Sequence, residues 1–281
     1  ETALSGLTIN SADGASNDGD ITLAGIGDGN PTYGVVGTVA VGNDATALLT
    51  LSGTSYDTDG TTTYESVTGV DKIKITSSSA VEFITNEDDI RFKTGSILLD
   101  GGSSTKITTG TGGAGAITID GAVDSESSTA ENFQLISGTG TITVGGAMGA
   151  VVNLGTIDIN STDDGSGSTD GAGTIAVAAI GDSSGSGASG AVKIGNTETA
   201  LLTLDGAVYN TDSTQTYTAD DYNLNGADVT FTTSADDVTF ADGGATDMTL
   251  DLADAADLTI STANGNIAIN VDIAGTSEGV A

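Results

Sequence analysis

The chain has no cysteine, no histidine and no tryptophan, and a single proline, Pro31, in 281 residues. Without cysteine there is no disulfide, no thiol nucleophile and no thiolate ligand for zinc. Without histidine no imidazole can serve acid–base chemistry near neutral pH. Positive charge is nearly absent too: 6 Lys plus Arg stand against 39 Asp plus Glu, a formal net charge of −33. Ordinary nucleic-acid binding needs cationic side chains that displace counterions from phosphates, so that class is excluded. Binding to an anionic membrane surface is disfavoured for the same reason. No run of about 18 apolar residues exists, so membrane insertion by a helix is not expected.

What is present is apolar and evenly spread: 37% hydrophobic residues and 42 glycines. The recurring local pattern is apolar–x–apolar, closed by Gly, Asn, Asp or Ser. Leu49/Leu51, Ile73/Ile75, Ile117/Ile119, Ile157/Ile159 and Val238/Phe240 are examples. A spacing of two puts both side chains on one face of a strand. The position between them is mostly Thr, Asp, Ala or Lys, which suits an outward face. Helical spacing is not sustained anywhere, so little or no helix is expected.

The stretch TALLTL, Thr46 to Leu51, returns letter for letter as Thr199 to Leu204, an offset of 199 − 46 = 153. Tyr56 and Tyr64 return at Tyr209 and Tyr217 with the same offset. LTINS at Leu7 answers to IDINS at Ile157, and DDIRF at Asp88 to DDVTF at Asp236. Two copies follow, residues 1–150 and an incomplete 151–281, expected to form one continuous rod. Short strands, Gly/Asn/Asp/Ser turns and a long internal repeat favour a solenoid over a sandwich or barrel. The predicted fold is an all-β, right-handed parallel β-helix. With roughly 20 to 25 residues per rung it would have about a dozen rungs and a length on the order of 60 Å. Copy two stops before the counterpart of Ala130 to Ala150. The chain is therefore expected to be a window on a longer array, or a subunit continued by another chain at open sheet edges.

AENFQLISGTGTITVGGAMGAVVNLGTIDINS (130–161) and ADLTISTANGNIAI (256–269) resemble a repeat of very large bacterial surface proteins. These are the filamentous-haemagglutinin-like and autotransporter-like β-helices. The resemblance is close over those two segments and one of style elsewhere. It implies export to the cell surface or outside the cell, and a structural role in adhesion or in a surface filament. Partners would then be copies of the chain itself, end to end or lateral, and cell-surface glycans. The secretion and anchoring regions of such proteins have no counterpart in this sequence. A surface-layer lattice protein with calcium-assisted assembly fits the composition as an alternative. A carbohydrate-active β-helix enzyme is a more distant one.

Candidate sites are few. Asp13, Asn17, Asp18 and Asp20 in copy one, with Asp163, Asp164 and Asp170 in copy two, form acidic loops of the kind that can supply calcium with oxygen ligands. They lack the EF-hand and calcium β-roll spacings, and solvated turns are the simpler reading. No cofactor is required by the sequence; calcium is the one it would suit. Lys72, Lys74, Arg91, Lys93 and Lys106 cluster, leaving only Lys193 outside. They could contact an acidic neighbour, or more simply neutralise Glu82, Glu87, Asp88 and Asp89. The tyrosines could stack on sugars, but a repeated aromatic more often plugs a rung. Asn160-Ser161-Thr162 is a glycosylation sequon. Asp88/Asp89, Asp220/Asp221 and Asp236/Asp237 are paired carboxylates, expected by chance in so acidic a chain. No catalytic residue is assigned and an enzyme is not expected.

Overall fold

The computed structural model describes residues 4–10, 19–27, 34–110, 112, 114–126, 130–161, 173–184, 187–244, 248–253 and 256–275. All regular structure in them is β, as twenty-eight strands numbered in chain order, β1 to β28. Every paired strand runs parallel to its neighbours. The chain winds as a β-solenoid with three faces.

Face 1 stacks β1 (Leu7–Ile9), β3 (Val39–Gly42), β6 (Thr62–Glu65), β9 (Ile90–Lys93), β12 (Ile117–Ile119), β15 (Ile142–Met148), β17 (Thr174–Ile180), β19 (Leu201–Leu204), β22 (Asp221–Leu224), β25 (Thr249–Leu252) and β28 (Asp272–Gly275). Face 2 stacks β2 (Gly19–Leu23), β4 (Thr46–Leu51), β7 (Ile73–Ile75), β10 (Ile97–Leu99) and β13 (Val123–Ser125). It continues through the far ends of β15 and β17 to β20 (Val208–Thr211), β23 (Asp228–Thr233) and β26 (Asp257–Thr262). Face 3 stacks β5 (Ser55–Asp57), β8 (Val81–Ile84), β11 (Thr105–Thr108), β14 (Phe133–Ile136), β16 (Ile157–Ile159), β18 (Val192–Ile194), β21 (Gln215–Ala219), β24 (Val238–Asp242) and β27 (Ile267–Ile269). Because β15 and β17 bend across the first two faces, those join into one 19-stranded sheet, and face 3 is a separate 9-stranded sheet.

The apolar pairs point inward on all three faces and make one core. In β8, β12, β14 and β16 the first and third residues are buried and the middle one is not. The inward positions form axial ladders. One runs Leu7, Val39, Thr62, Ile90, Ile117, Ile142, Ile175, Leu202, Tyr222, Leu250, Ile273. It covers 273 − 7 = 266 residues in ten steps, about 27 a step, a little longer than the rung the sequence suggested. Individual steps range from 20 residues, Leu201 to Asp221, to 33, Ile142 to Ile175. Ten steps at about 4.8 Å give a stack about 48 Å long. At the last level no further turn covers the core among the described residues, and the inward-register Ile267 and Ile273 are 48% and 55% exposed.

Copy two sits one face away from copy one. TALLTL lies on face 2 in copy one, where it is β4, and on face 1 in copy two, where it ends in β19. Tyr56 lies on face 3 and Tyr209 on face 2; Tyr64 lies on face 1 and Tyr217 on face 3. β1 on face 1 answers to β16 on face 3. From β4 to β19 there are 17 strand positions, counting β15 and β17 twice because each serves two faces. At three positions per turn, 17 positions are five and two-thirds turns. The repeat is thus not a whole number of turns. It works because each face asks the same of a strand, two inward side chains and a backbone ladder on either edge.

Glycine and side-chain hydrogen bonds shape the corners. Where β19 turns into β20, a Cβ on Gly206 would lie 1.6 Å from the Ala178 carbonyl oxygen one level away, so only glycine fits. Elsewhere Asp and Asn accept the N–H at a strand start one level on. Asp89 accepts from Ala116 (2.8 Å), Asn132 from Thr156 (2.8 Å) and Asp237 from Asn266 (2.6 Å). These are donors for which the ladder itself offers no partner at the bend.

Candidate functional site

The outward side chains of face 3 form a polar ladder along the rod. Glu82, Lys106, Gln134, Asp158 and Lys193 are the middle residues of five successive strands and stand in direct register. Adjacent rungs bring them together: Lys106 Nζ lies 3.0 Å from Glu82 Oε1, and Gln134 Nε2 donates to Asp158 Oδ2 at 3.3 Å. Asp158 Oδ1 accepts the Ser161 hydroxyl at 2.6 Å, which holds its carboxylate against the face. Lys193 is exposed and has no carboxylate within ion-pair distance among the described residues. Beside this ladder runs a less polar rank, Ile84, Thr108 and Ile136, also in register. An open groove of about 580 Å³ follows the ladder along the rod axis. Glu82, Lys106, Gln134 and Asp158 line one side, and Ser104 and Thr156 lie at the edge where the chain enters the face.

The other sequence-derived candidates land as follows. Asp13, Asn17, Asp18, Asp163, Asp164 and Asp170 lie outside the described residues. Asp20 is exposed on β2, opposite Leu48 at a β-bulge. Among the described residues no three acidic side chains gather as a metal-binding group. The sequon asparagine, Asn160, is 3% exposed in a left-handed backbone conformation (φ 51°), and its side-chain oxygen accepts the Ser137 N–H. A glycan cannot be attached there without pulling that side chain out of the corner.

Four residues of the basic cluster, Lys74, Arg91, Lys93 and Lys106, pair with carboxylates on neighbouring turns. Arg91 forms a two-pronged pair with Asp120 (3.1 and 2.8 Å), Lys93 pairs with Glu65 (2.7 Å) and Lys74 approaches Glu126 (3.8 Å). The partners differ from those the sequence suggested, except Glu82, because pairing runs between stacked turns and not along the chain. Glu126 is pushed above the usual carboxylate range chiefly by a hydrogen bond with Asp100.

The acidic pairs are corner elements. In copy one the Thr85 hydroxyl donates to the Asp88 carbonyl while Asp89 receives Ala116. In copy two Thr233 donates to the Asp236 carbonyl while Asp237 receives Asn266. The tyrosines Tyr56, Tyr64, Tyr209, Tyr217 and Tyr222 are all at most 1% exposed, so none offers a platform for sugar stacking. Tyr56 Oη accepts the Gly53 N–H (2.9 Å) and donates to the Leu23 carbonyl (3.0 Å). Tyr209 Oη accepts Gly206 N–H (3.0 Å) and donates to the Ala178 carbonyl (3.1 Å), the same corner plug in the second copy. Burial pushes the Tyr56 phenol up to about 12, against the Gly53 hydrogen bond, and raises Tyr64, Tyr209, Tyr217 and Tyr222 as well.

Two buried features had no sequence signal. Asp124, 5% exposed, accepts the Val151 N–H at 2.8 Å and so ties the 149–153 loop over face 2; burial raises its pKa. Glu131, 4% exposed, takes the Gly102 N–H at 2.8 Å on one oxygen and leaves the other without a partner. The face-3 ladder did have a signal, the middle residue of each apolar–x–apolar triple. Which triples stack depends on turn lengths that vary too much to count out. No protein-family model, curated protein or solved structure matches this chain.

Proposed function

We propose that this chain is building material: a β-solenoid segment of an extracellular, surface-exposed bacterial filament or adhesin. One observation carries the reading. The copies keep the inward rings Tyr56/Tyr209, Tyr64/Tyr217, Phe83/Phe231 and Phe92/Phe240, the corner glycine Gly53/Gly206 and the corner bonds of Asp89/Asp237, while changing the face on which each is placed. A catalytic or binding constellation needs its outward side chains, and these are not kept: Arg91 answers to Thr239, Glu82 to Thr230 and Lys74 to Asn223. A rod needs only that each rung stack on the last. What the repeat preserves is what stacking needs. The segments resembling haemagglutinin-like repeats support the same reading, and so does the acidic surface, which keeps an extended rod soluble.

Negative-stain microscopy of the purified chain tests it. Rods, or one-dimensional fibres built from them, are the expected result. Calcium-dependent two-dimensional sheets would replace the filament with a surface-layer lattice. Turnover of a polysaccharide by the purified chain would replace the structural reading with an enzymatic one.

A further inference from the structure

The face-3 ladder reads, from one level to the next, negative, positive, neutral, negative, positive: Glu82, Lys106, Gln134, Asp158, Lys193. Reversed, the order is positive, negative, neutral, positive, negative. Laid against itself antiparallel, every charge meets its opposite. Glu82 faces Lys193 of a second copy, Lys106 faces Asp158, and Gln134 faces Gln134 on the twofold axis. Laid parallel and in register, every charge meets its like. We propose that face 3 is a self-complementary lateral interface through which two copies of this chain pair antiparallel about Gln134.

Three further features fit that occupant. A twofold interface uses the same patch on both partners, as this pattern requires. Four outward charges sum to zero along the ladder, in a chain of net charge −33, so the ladder itself adds no net repulsion between two such rods. The groove along Glu82 to Asp158 and the neighbouring Ile84 and Ile136 give the opposing side chains room and some apolar surface to cover. The unpaired Lys193 is the one basic residue remote from the others in sequence, and the pairing gives it a carboxylate. The face is narrow, so the association is weak, of the transient class. It also depends on salt in two directions. Net repulsion between rods opposes it at low ionic strength, and at about 1 M the Debye length falls to about 3 Å and the contact pairs fade.

This pairing rests on the reading of the rod as building material, and cysteine cross-linking tests it apart from that reading. The chain has no cysteine, so Gln134→Cys introduces the only thiol. Under mild oxidation near 150 mM salt (about an 8 Å Debye length), Gln134→Cys should form disulfide dimers, and Thr203→Cys on face 1 should not. Adding Lys106→Glu should cut dimer formation about tenfold, because it creates two like-charge contacts per pair. Adding Asp158→Lys as well should restore it, which only an antiparallel arrangement allows. Circular dichroism melts confirm that each variant is folded. Cross-linking of folded Gln134→Cys no greater than of Thr203→Cys, or no rescue by the charge swap, overturns the proposal. Fibres one rod wide in micrographs would retain the structural reading while removing the pairing.

Discussion

The two aromatic clusters are the same object built twice on different faces. In copy one Tyr56 stacks on Phe83 (centroids 4.6 Å apart, planes 8° apart) and Tyr64 on Phe92 (5.0 Å, 24°). In copy two Tyr209 stacks on Phe231 (4.9 Å, 15°) and Tyr217 on Phe240 (5.2 Å, 18°). The edge contact between the tyrosines is 6.1 Å in one and 6.4 Å in the other, at 86° in both. Ring packing therefore survives a rotation by one face, because the rings touch only each other and the strands that carry them. The polar partners do not survive it equally. Tyr217 Oη donates to Gln215 Oε1 at 2.9 Å, and Gln215 Nε2 ties down the carbonyls of Tyr209 and Thr232. Two residues before Tyr64 stands Thr62, whose hydroxyl bonds to Thr58 and Gly60 instead, and Tyr64 Oη is buried with no partner. Copy two also adds Tyr222 against Phe240, where the matching strand of copy one begins with Ile73.

Truncating the equivalent phenylalanines Phe92 and Phe240 tests the comparison hardest. Phe240 meets three rings and Phe92 two. Each Phe→Ala change should cost about 3–5 kcal/mol, with Phe240→Ala the larger, measured by urea unfolding. Equal costs would mean that Tyr222 adds nothing to the second cluster.

Raising pH attacks both clusters together. The unfolded tyrosines ionise near pH 10, while in the fold burial holds all five phenols higher. Above pH 10 the unfolded state thus binds fewer protons than the native one, and stability falls as pH rises. Thermal melts between pH 9 and 12 should show that fall, with phenolate absorbance from these five tyrosines appearing mainly on unfolding. Ionisation of these five phenols near pH 10 in the folded protein would contradict their burial.

The hydroxyl exchange is subtler and separates the copies. Tyr217→Phe leaves Gln215 Oε1 without its donor inside the core and should cost about 1–2 kcal/mol. Tyr64→Phe removes a buried hydroxyl that has no partner and should be neutral or slightly stabilising. The same chemical change at equivalent positions should then differ in sign or nearly so. A cost of about 1 kcal/mol or more for Tyr64→Phe would mean that its hydroxyl has a partner in solution.

Much of the fold was legible because strand and corner are each set by a few neighbouring residues. Pairs such as Ile157/Ile159 declare an inward face, and glycines and Asn/Asp residues mark the bends. The 153-residue echo of TALLTL declared the repeat. The corner role of Asp88/Asp89 was hidden, because its hydrogen-bond partner at Ala116 lies one turn away. The ion pair of Lys93 with Glu65 was hidden for the same reason. Turn lengths between 20 and 33 residues keep the sequence from saying which rung lies on which.

By itself, then, the sequence determined that this chain makes short parallel strands with one buried side, coiled about a single apolar core. Alternation and turn chemistry are local, and local rules can be read in order. Only the tertiary structure decided that the repeat advances five and two-thirds turns and that copy two lies one face away from copy one. It also decided that five outward residues from Glu82 to Lys193 line up in one column. Those outcomes depend on the summed length of every corner between two strands, a quantity no short stretch of sequence contains.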